Sequence, residues 1–161
     1  MEIRETLRAA AEQIKKNEIK NPALEAEILL SHILKRNREF LFTYPGKELA
    51  IGQVKSYKKL VARRLKGEPI AYLTGQKEFY GLNFFVNKNV LVPRPATELM
   101  VEEALALITR LSPEALVKGG NAQRITLVDV GTGSGCIIIT LAKQMSAACR
   151  RGRDIGCRAA R

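Results

Sequence analysis

Val128-Asp129-Val130-Gly131-Thr132-Gly133-Ser134-Gly135-Cys136 is the stretch on which the reading of this chain turns. Before it, Ile125–Val130 is a continuous apolar run ending beside an acid, the pattern of a buried parallel strand. After it, Cys136–Lys143 reads as a helix. Glycines between a strand and a helix let the backbone bend tightly and let a ligand approach main-chain atoms. The helix start adds unpaired amides and the positive end of the helix dipole. The spacing is Gly-x-Gly-x-Gly, with Cys136 where a dinucleotide fingerprint places its third glycine. It is no phosphate-binding P-loop either, because the Gly-Lys-Ser/Thr ending is absent.

N-terminal to this stretch the apolar period is helical. Ile3, Leu7, Ala10, Ala11 and Ile14 predict a helix over 3–16. Asn21-Pro22 opens a second, with Asn as cap and Pro at the first position. Its stripe is read as Leu24, Ile28, Leu29, His32 and Ile33, with His32 a core or boundary residue rather than a ligand or base. A short turn of helix over 38–42 ends at Tyr44-Pro45-Gly46. A third clear helix runs over 53–66, with Val54, Tyr57, Leu60, Val61 and Leu65 inward and Gly67 as its C-terminal cap. From Ile70 to Val92 the β-branched and aromatic residues predict hairpin strands. Pro93-Arg94-Pro95 stops them. Thr97-Glu98 opens a helix whose stripe is Leu99, Met100, Glu103, Ala104, Leu107, Ile108 and Leu111, and a loop follows through Ser112-Pro113 and Gly119-Gly120-Asn121.

Composition bounds the function. The chain has 161 residues, 46% of them apolar, enough to bury a core. No apolar stretch reaches membrane-spanning length, and the N-terminus has no signal-peptide run. Three cysteines, Cys136, Cys149 and Cys157, with one His and no CxxC pair, argue against a disulfide framework or zinc and for reduced thiols in a cytoplasmic protein. The net charge of +11 suits acidic or RNA-containing partners or simply a solvated surface. No aromatic-rich basic repeat points to direct nucleic-acid reading.

The glycine loop after an acidic strand end resembles the S-adenosylmethionine loop of methyltransferases. Another nucleotide, or a glycine turn with no ligand, also fits the loop by itself. Three further segments sharpen the resemblance: Gly67-Glu68-Pro69-Ile70-Ala71-Tyr72, Glu78-Phe79-Tyr80-Gly81-Leu82, and Val90-Leu91-Val92-Pro93-Arg94-Pro95-Ala96-Thr97-Glu98-Leu99. With Leu24–Leu34, they make residues 1 to about 145 resemble the HemK/PrmC release-factor glutamine methyltransferase family.

The resemblance implies an α+β chain in two parts: a helical bundle over 1–67 that docks a release factor, a β-hairpin linker over 68–94, and over 95–161 the start of a Rossmann-like S-adenosylmethionine-dependent methyltransferase domain. It implies methyl transfer to the glutamine side-chain amide in the Gly-Gly-Gln loop of peptide chain release factors. It assigns S-adenosyl-L-methionine to Gly131, Thr132, Gly133, Ser134 and Gly135, with Asp154 on the ribose diol. No metal site is implied.

The sequence departs from the family pattern in two places. Ala96 stands where the family carries an acid. Cys149-Arg150-Arg151-Gly152-Arg153 stands where an apolar strand should precede Asp154, so residues 146–161 read as a degraded or out-of-frame end, with an arginine-rich binding tail as the alternative. The family's catalytic Asn-Pro-Pro-Tyr is absent; the chain's Asn-Pro is Asn21-Pro22. The expectation is therefore a truncated chain without catalytic residues, inactive alone. A non-catalytic helical module binding a release factor or ribosomal protein, and a fragment of an adenine-directed nucleic-acid methyltransferase, are the alternatives.

Overall fold

The computed structural model describes residues 1–111 and 126–150, with backbone alone for 111 and 146–150. The chain divides into two compact units, Met1–Gly75 and one beginning at Gln76.

The first unit is five helices: α1 Ile3–Lys16, α2 Pro22–Leu34, α3 Arg38–Thr43, α4 Ile51–Leu65 and α5 Ile70–Thr74. In α1, Ile3, Thr6, Ala10 and Ile14 recur three or four apart and all are buried. Its first amides are closed from outside the helix: Ile3 N–H donates to Lys47 O (3.1 Å) and Arg4 N–H to Pro45 O (2.9 Å). The loop from Tyr44 to Leu49 thus clasps the start of α1, and Leu49 N–H donates back to Met1 O.

In α2 the buried face is Ala26, Leu29 and Leu30, one position round from the expected stripe. Leu24 is half-exposed and His32 exposed, so His32 is no core residue. Pro22 does hold the first helical position, but Asn21 makes no side-chain cap. Its backbone is left-handed (φ 54°), whereas a capping side chain needs an extended backbone to reach the amides. At α4, Tyr57 and Val61 are buried, and the Tyr57 hydroxyl donates to Ala26 O at 3.1 Å, joining α4 to α2. Arg64 adds a two-pronged bond to Glu25, Nε to Oε2 at 2.7 Å and Nη2 to Oε1 at 2.9 Å. Gly67, at φ 89°, ends α4 as expected.

Ile70–Thr74 is helical, not a strand. Pro69 starts the turn, and Ala71 and Leu73 are buried, so packing overrides the β preference of Ile70 and Tyr72.

The second unit opens with a two-stranded antiparallel hairpin, β1 Gln76–Phe79 and β2 Leu82–Phe85, in the register Phe79↔Leu82 and Lys77↔Phe84. The turn residues Tyr80 (φ 51°) and Gly81 (φ 71°) are both left-handed, the twist a two-residue hairpin turn demands. One face carries Phe79 and Phe84, both buried, with rings edge to face at 6.1 Å. Residues 86–94 lie outside any strand, so the hairpin is confined to 76–85 rather than reaching Val92.

Helix α6 spans Ala96–Leu111 and α7 spans Cys136–Arg150. Val101 is the fully buried residue of α6, while Leu99, Met100 and Leu107 are exposed, so its inner face is rotated from the expected stripe. Val101, Phe79, Phe84, Cys136 and Leu141 form one core, with Ala104, Leu105, Leu127 and Ile137 against it.

Candidate functional site

The glycine loop folds as a turn that delivers the chain into α7. Gly131 (φ 78°), Gly133 (φ 56°) and Gly135 (φ 76°) are all left-handed, a conformation that side-chain-bearing residues adopt only under strain. The turn is closed internally. Thr132 Oγ1 donates to Asp129 O at 2.9 Å, Gly135 N–H to Thr132 O at 2.8 Å, and Ile139 N–H to Gly135 O at 3.0 Å. Ile139 is thus the first α7 amide bonded in the helical pattern, and the amides before it have no partner within the helix, at the positive end of its dipole.

Glycine does different work along the turn. A β-carbon at Gly131 would meet nothing within 4 Å, and one at Gly133 would meet Gly131 O at 3.8 Å, so backbone there is approachable from solvent. At Gly135 a β-carbon would stand 2.9 Å from Ile139 Cδ1. Gly131, Thr132 and Gly133 are exposed, Ser134 is half-buried and Gly135 buried. The loop therefore offers an open rim and a packed base.

The segment feeding the loop departs from expectation. Ile125 lies outside the described residues, and Thr126–Asp129 forms no strand. Val128 and Val130 are 80% and 91% exposed, the opposite of a strand buried on both faces. Burial still alternates, with Leu127 and Asp129 inward and their neighbours outward. A ladder needs a neighbouring strand to complete it, and among the described residues no strand flanks this segment.

Sequence reasoning did not place Asp129 among the site residues. Its Oδ2 is buried with no hydrogen-bond partner among the described residues, an acceptor oxygen left over two residues before the first glycine of the turn. The signal was an acid just before the first glycine. Asp154 lies outside the described residues, as do Arg151, Gly152 and Arg153 of the strand expected before it, whereas Cys149 and Arg150 are helical and not strand. The backbone of 146–150 continues α7.

No group of three or more His, Cys, Asp or Glu is arranged to hold a metal ion among the described residues, where Cys136 is a buried free thiol. No helix among them is long and apolar enough to cross a membrane.

Residues 5–75 match the family model described as the PrmC N-terminal domain. The chain is 40% identical over 144 residues to a release factor glutamine methyltransferase of Koribacter versatilis, covering 89% of this chain and 48% of that protein. It is 43% identical over 123 residues to the protein of the same name from Coxiella burnetii (76% of this chain, 40% of that protein). It is 38% identical over 152 residues to a bifunctional methyltransferase of Rickettsia conorii (86% and 29%). The chain thus spans about half the length, or less, of the curated relatives it matches.

Proposed function

The chain belongs to the HemK/PrmC family, and from that premise we propose that it serves S-adenosylmethionine-dependent methylation of the glutamine side-chain amide in the Gly-Gly-Gln loop of peptide chain release factors, in the cytoplasm. The observation that carries the cofactor half of this reading is the turn of three left-handed glycines next to Asp129, whose buried Oδ2 has no partner among the described residues. S-adenosylmethionine carries an ammonium, a carboxylate and a ribose diol. The donor groups suit an orphan carboxylate oxygen, and the carboxylate suits amides at a helix start. Gly131, Thr132, Gly133, Ser134 and Gly135 would hold the cofactor, with Asp129 accepting from its donor groups. Asp154 would take the ribose hydroxyls by the family pattern. When bound, the cofactor supplies a methyl group activated by its sulfonium.

The acceptor half asks for something else. An amide nitrogen is a weak nucleophile because its lone pair is shared with the carbonyl, so it must be aimed and its developing charge stabilised. The family's Asn-Pro-Pro-Tyr does this, and the 161 residues contain no such motif. The helical bundle would dock the release factor; the glycine unit would hold the cofactor; and the 161-residue polypeptide is expected to transfer little or no methyl by itself.

The test pairs two measurements on the purified chain. Calorimetry with S-adenosylmethionine should show weak binding that Gly133→Val abolishes, since a β-branched residue at φ 56° cannot keep the turn. A labelled-methyl assay with a release factor should show no appreciable transfer. Tight binding indifferent to Gly133→Val would end the cofactor assignment, and robust transfer would end the claim that the missing motif is required.

A further inference from the structure

Helix α4 contains no acidic residue. Its inner face is occupied by buried Tyr57 and Val61, and both its arginines are committed, Arg64 to Glu25 and Arg63 to Glu68. On the opposite face Ile51, Lys55, Lys58, Lys59, Ala62 and the capping Lys66 recur three or four residues apart and are all exposed. None of these four lysines has a carboxylate within ion-pair distance among the described residues. Like charges so spaced cost the helix a few tenths of a kcal/mol per pair, which the helix dipole offsets only at the C-capping Lys66. The stripe runs at its N-terminal end into an open recess of about 400 Å³ lined by Met1, Leu49, Ile51, Val54, Lys55 and Lys58. Ile51 stands 89% exposed at its rim.

We infer that this face of α4 docks an acidic protein segment, which seats an apolar side chain in the recess and sets carboxylates along Lys55, Lys58, Lys59 and Lys66. The four lysines extend about 16 Å along the helix axis, room for roughly three turns of a partner helix or five extended residues. A protein fits better than a nucleic acid. The outward cations are lysine point charges, no arginine fork is left to grip a phosphate, and α4 has no exposed aromatic on which a base could stack. The recess is aliphatic, which a polynucleotide would leave wet. The inference rests on the docking role proposed above for the bundle and adds the face and the chemistry of what it meets.

The experiment titrates the isotope-labelled 161-residue chain with three probes: a peptide alternating Glu and Leu, the same peptide with Ser for Leu, and a single-stranded oligouridylate. The Leu peptide should move the amide resonances of residues 49–59 and bind about tenfold tighter than the Ser peptide. Lys55→Glu with Lys58→Glu, and separately Ile51→Asp, should each weaken it about tenfold or more while circular dichroism stays unchanged. Tighter binding of oligouridylate, indifference to the variants, or resonances that do not move would each overturn the inference. Capture of a release factor by the same chain separates the two readings. Capture without any peptide response sinks the α4 face and leaves docking by the bundle standing; a peptide response at α4 without capture does the reverse.

Discussion

Gly135 shows how much a single missing β-carbon decides. It sits at φ 76°, and its β-carbon would stand 2.9 Å from the terminal Cδ1 of half-exposed Ile139, which can swing aside, so Gly135→Ala meets chiefly backbone strain. The expected cost is about 1–2 kcal/mol, read as a lowered urea midpoint. Tyr57 is the other residue whose environment is decisive. Burial holds its hydroxyl neutral far above the ordinary value of 10.0, and the proton it keeps is donated to Ala26 O. A group whose folded pKa is raised contributes stability that is intact below the unfolded value and is lost as pH climbs toward the folded one. Stability should therefore fall as pH rises through 10.0 and beyond. Tyr57→Phe should cost about 0.5–1.5 kcal/mol at neutral pH, by removing the bond between α4 and α2 while Ala26 O keeps its place in the α2 ladder, and should flatten the alkaline decline. Denaturation midpoints measured across pH for both proteins would decide it.

Between elements, single polar bonds fix how secondary structures meet. The hairpin is held to α6 by Glu98, whose Oε1 accepts the Tyr80 N–H at 2.9 Å. Tyr80 lies in the left-handed turn, where backbone strain must be offset from outside, and Glu78 adds a second bond to the Gly81 N–H. Glu98→Ala should destabilise the second unit by about 1–2 kcal/mol and speed hydrogen exchange at the Tyr80 amide, while Glu98→Gln keeps most of the bond. Unchanged exchange in Glu98→Ala would mean that the Phe79–Phe84 core alone sets the turn. The neighbouring Pro95-Ala96-Thr97-Glu98 segment thus has a structural duty, which Ala96 does not interrupt: Thr97 N–H still donates to Arg94 O and Glu98 N–H to Pro95 O, and α6 starts at Ala96.

For the whole molecule, the first unit carries its own core. Ile3, Ile14, Leu29, Leu30, Leu41 and Tyr57 are each at most 1% exposed, and every one of them belongs to residues 1–75. A helical set of near-neighbour contacts of this kind folds readily. Residues 1–75 expressed alone should give a helical spectrum and one cooperative thermal transition. A molten, non-cooperative melt would show that the first unit borrows stability from the rest of the chain.

Helix periodicity, the Tyr44-Pro45-Gly46 break, the Gly67 cap and the glycine loop leading into α7 were all readable in order along the chain, because each depends on neighbours a few residues away. Family membership was readable for the same reason, through short motifs in a set order. The inward faces of α1 and α4 were readable as well, but those of α2 and α6 were not, since Ala26, Leu30 and Val101 are chosen by what lies opposite them in space. Nor was it visible that Ile70–Thr74 coils into the bundle, that Asn21 forgoes its cap, or that Thr126–Asp129 stays out of a sheet. Each of these turns on a distant partner: a core to fill, a backbone angle set by the preceding loop, a strand to pair with. The Oδ2 of Asp129, buried and unpartnered among the described residues, belongs with them, because an acceptor's partners are set by the fold around it and not by its neighbours in sequence.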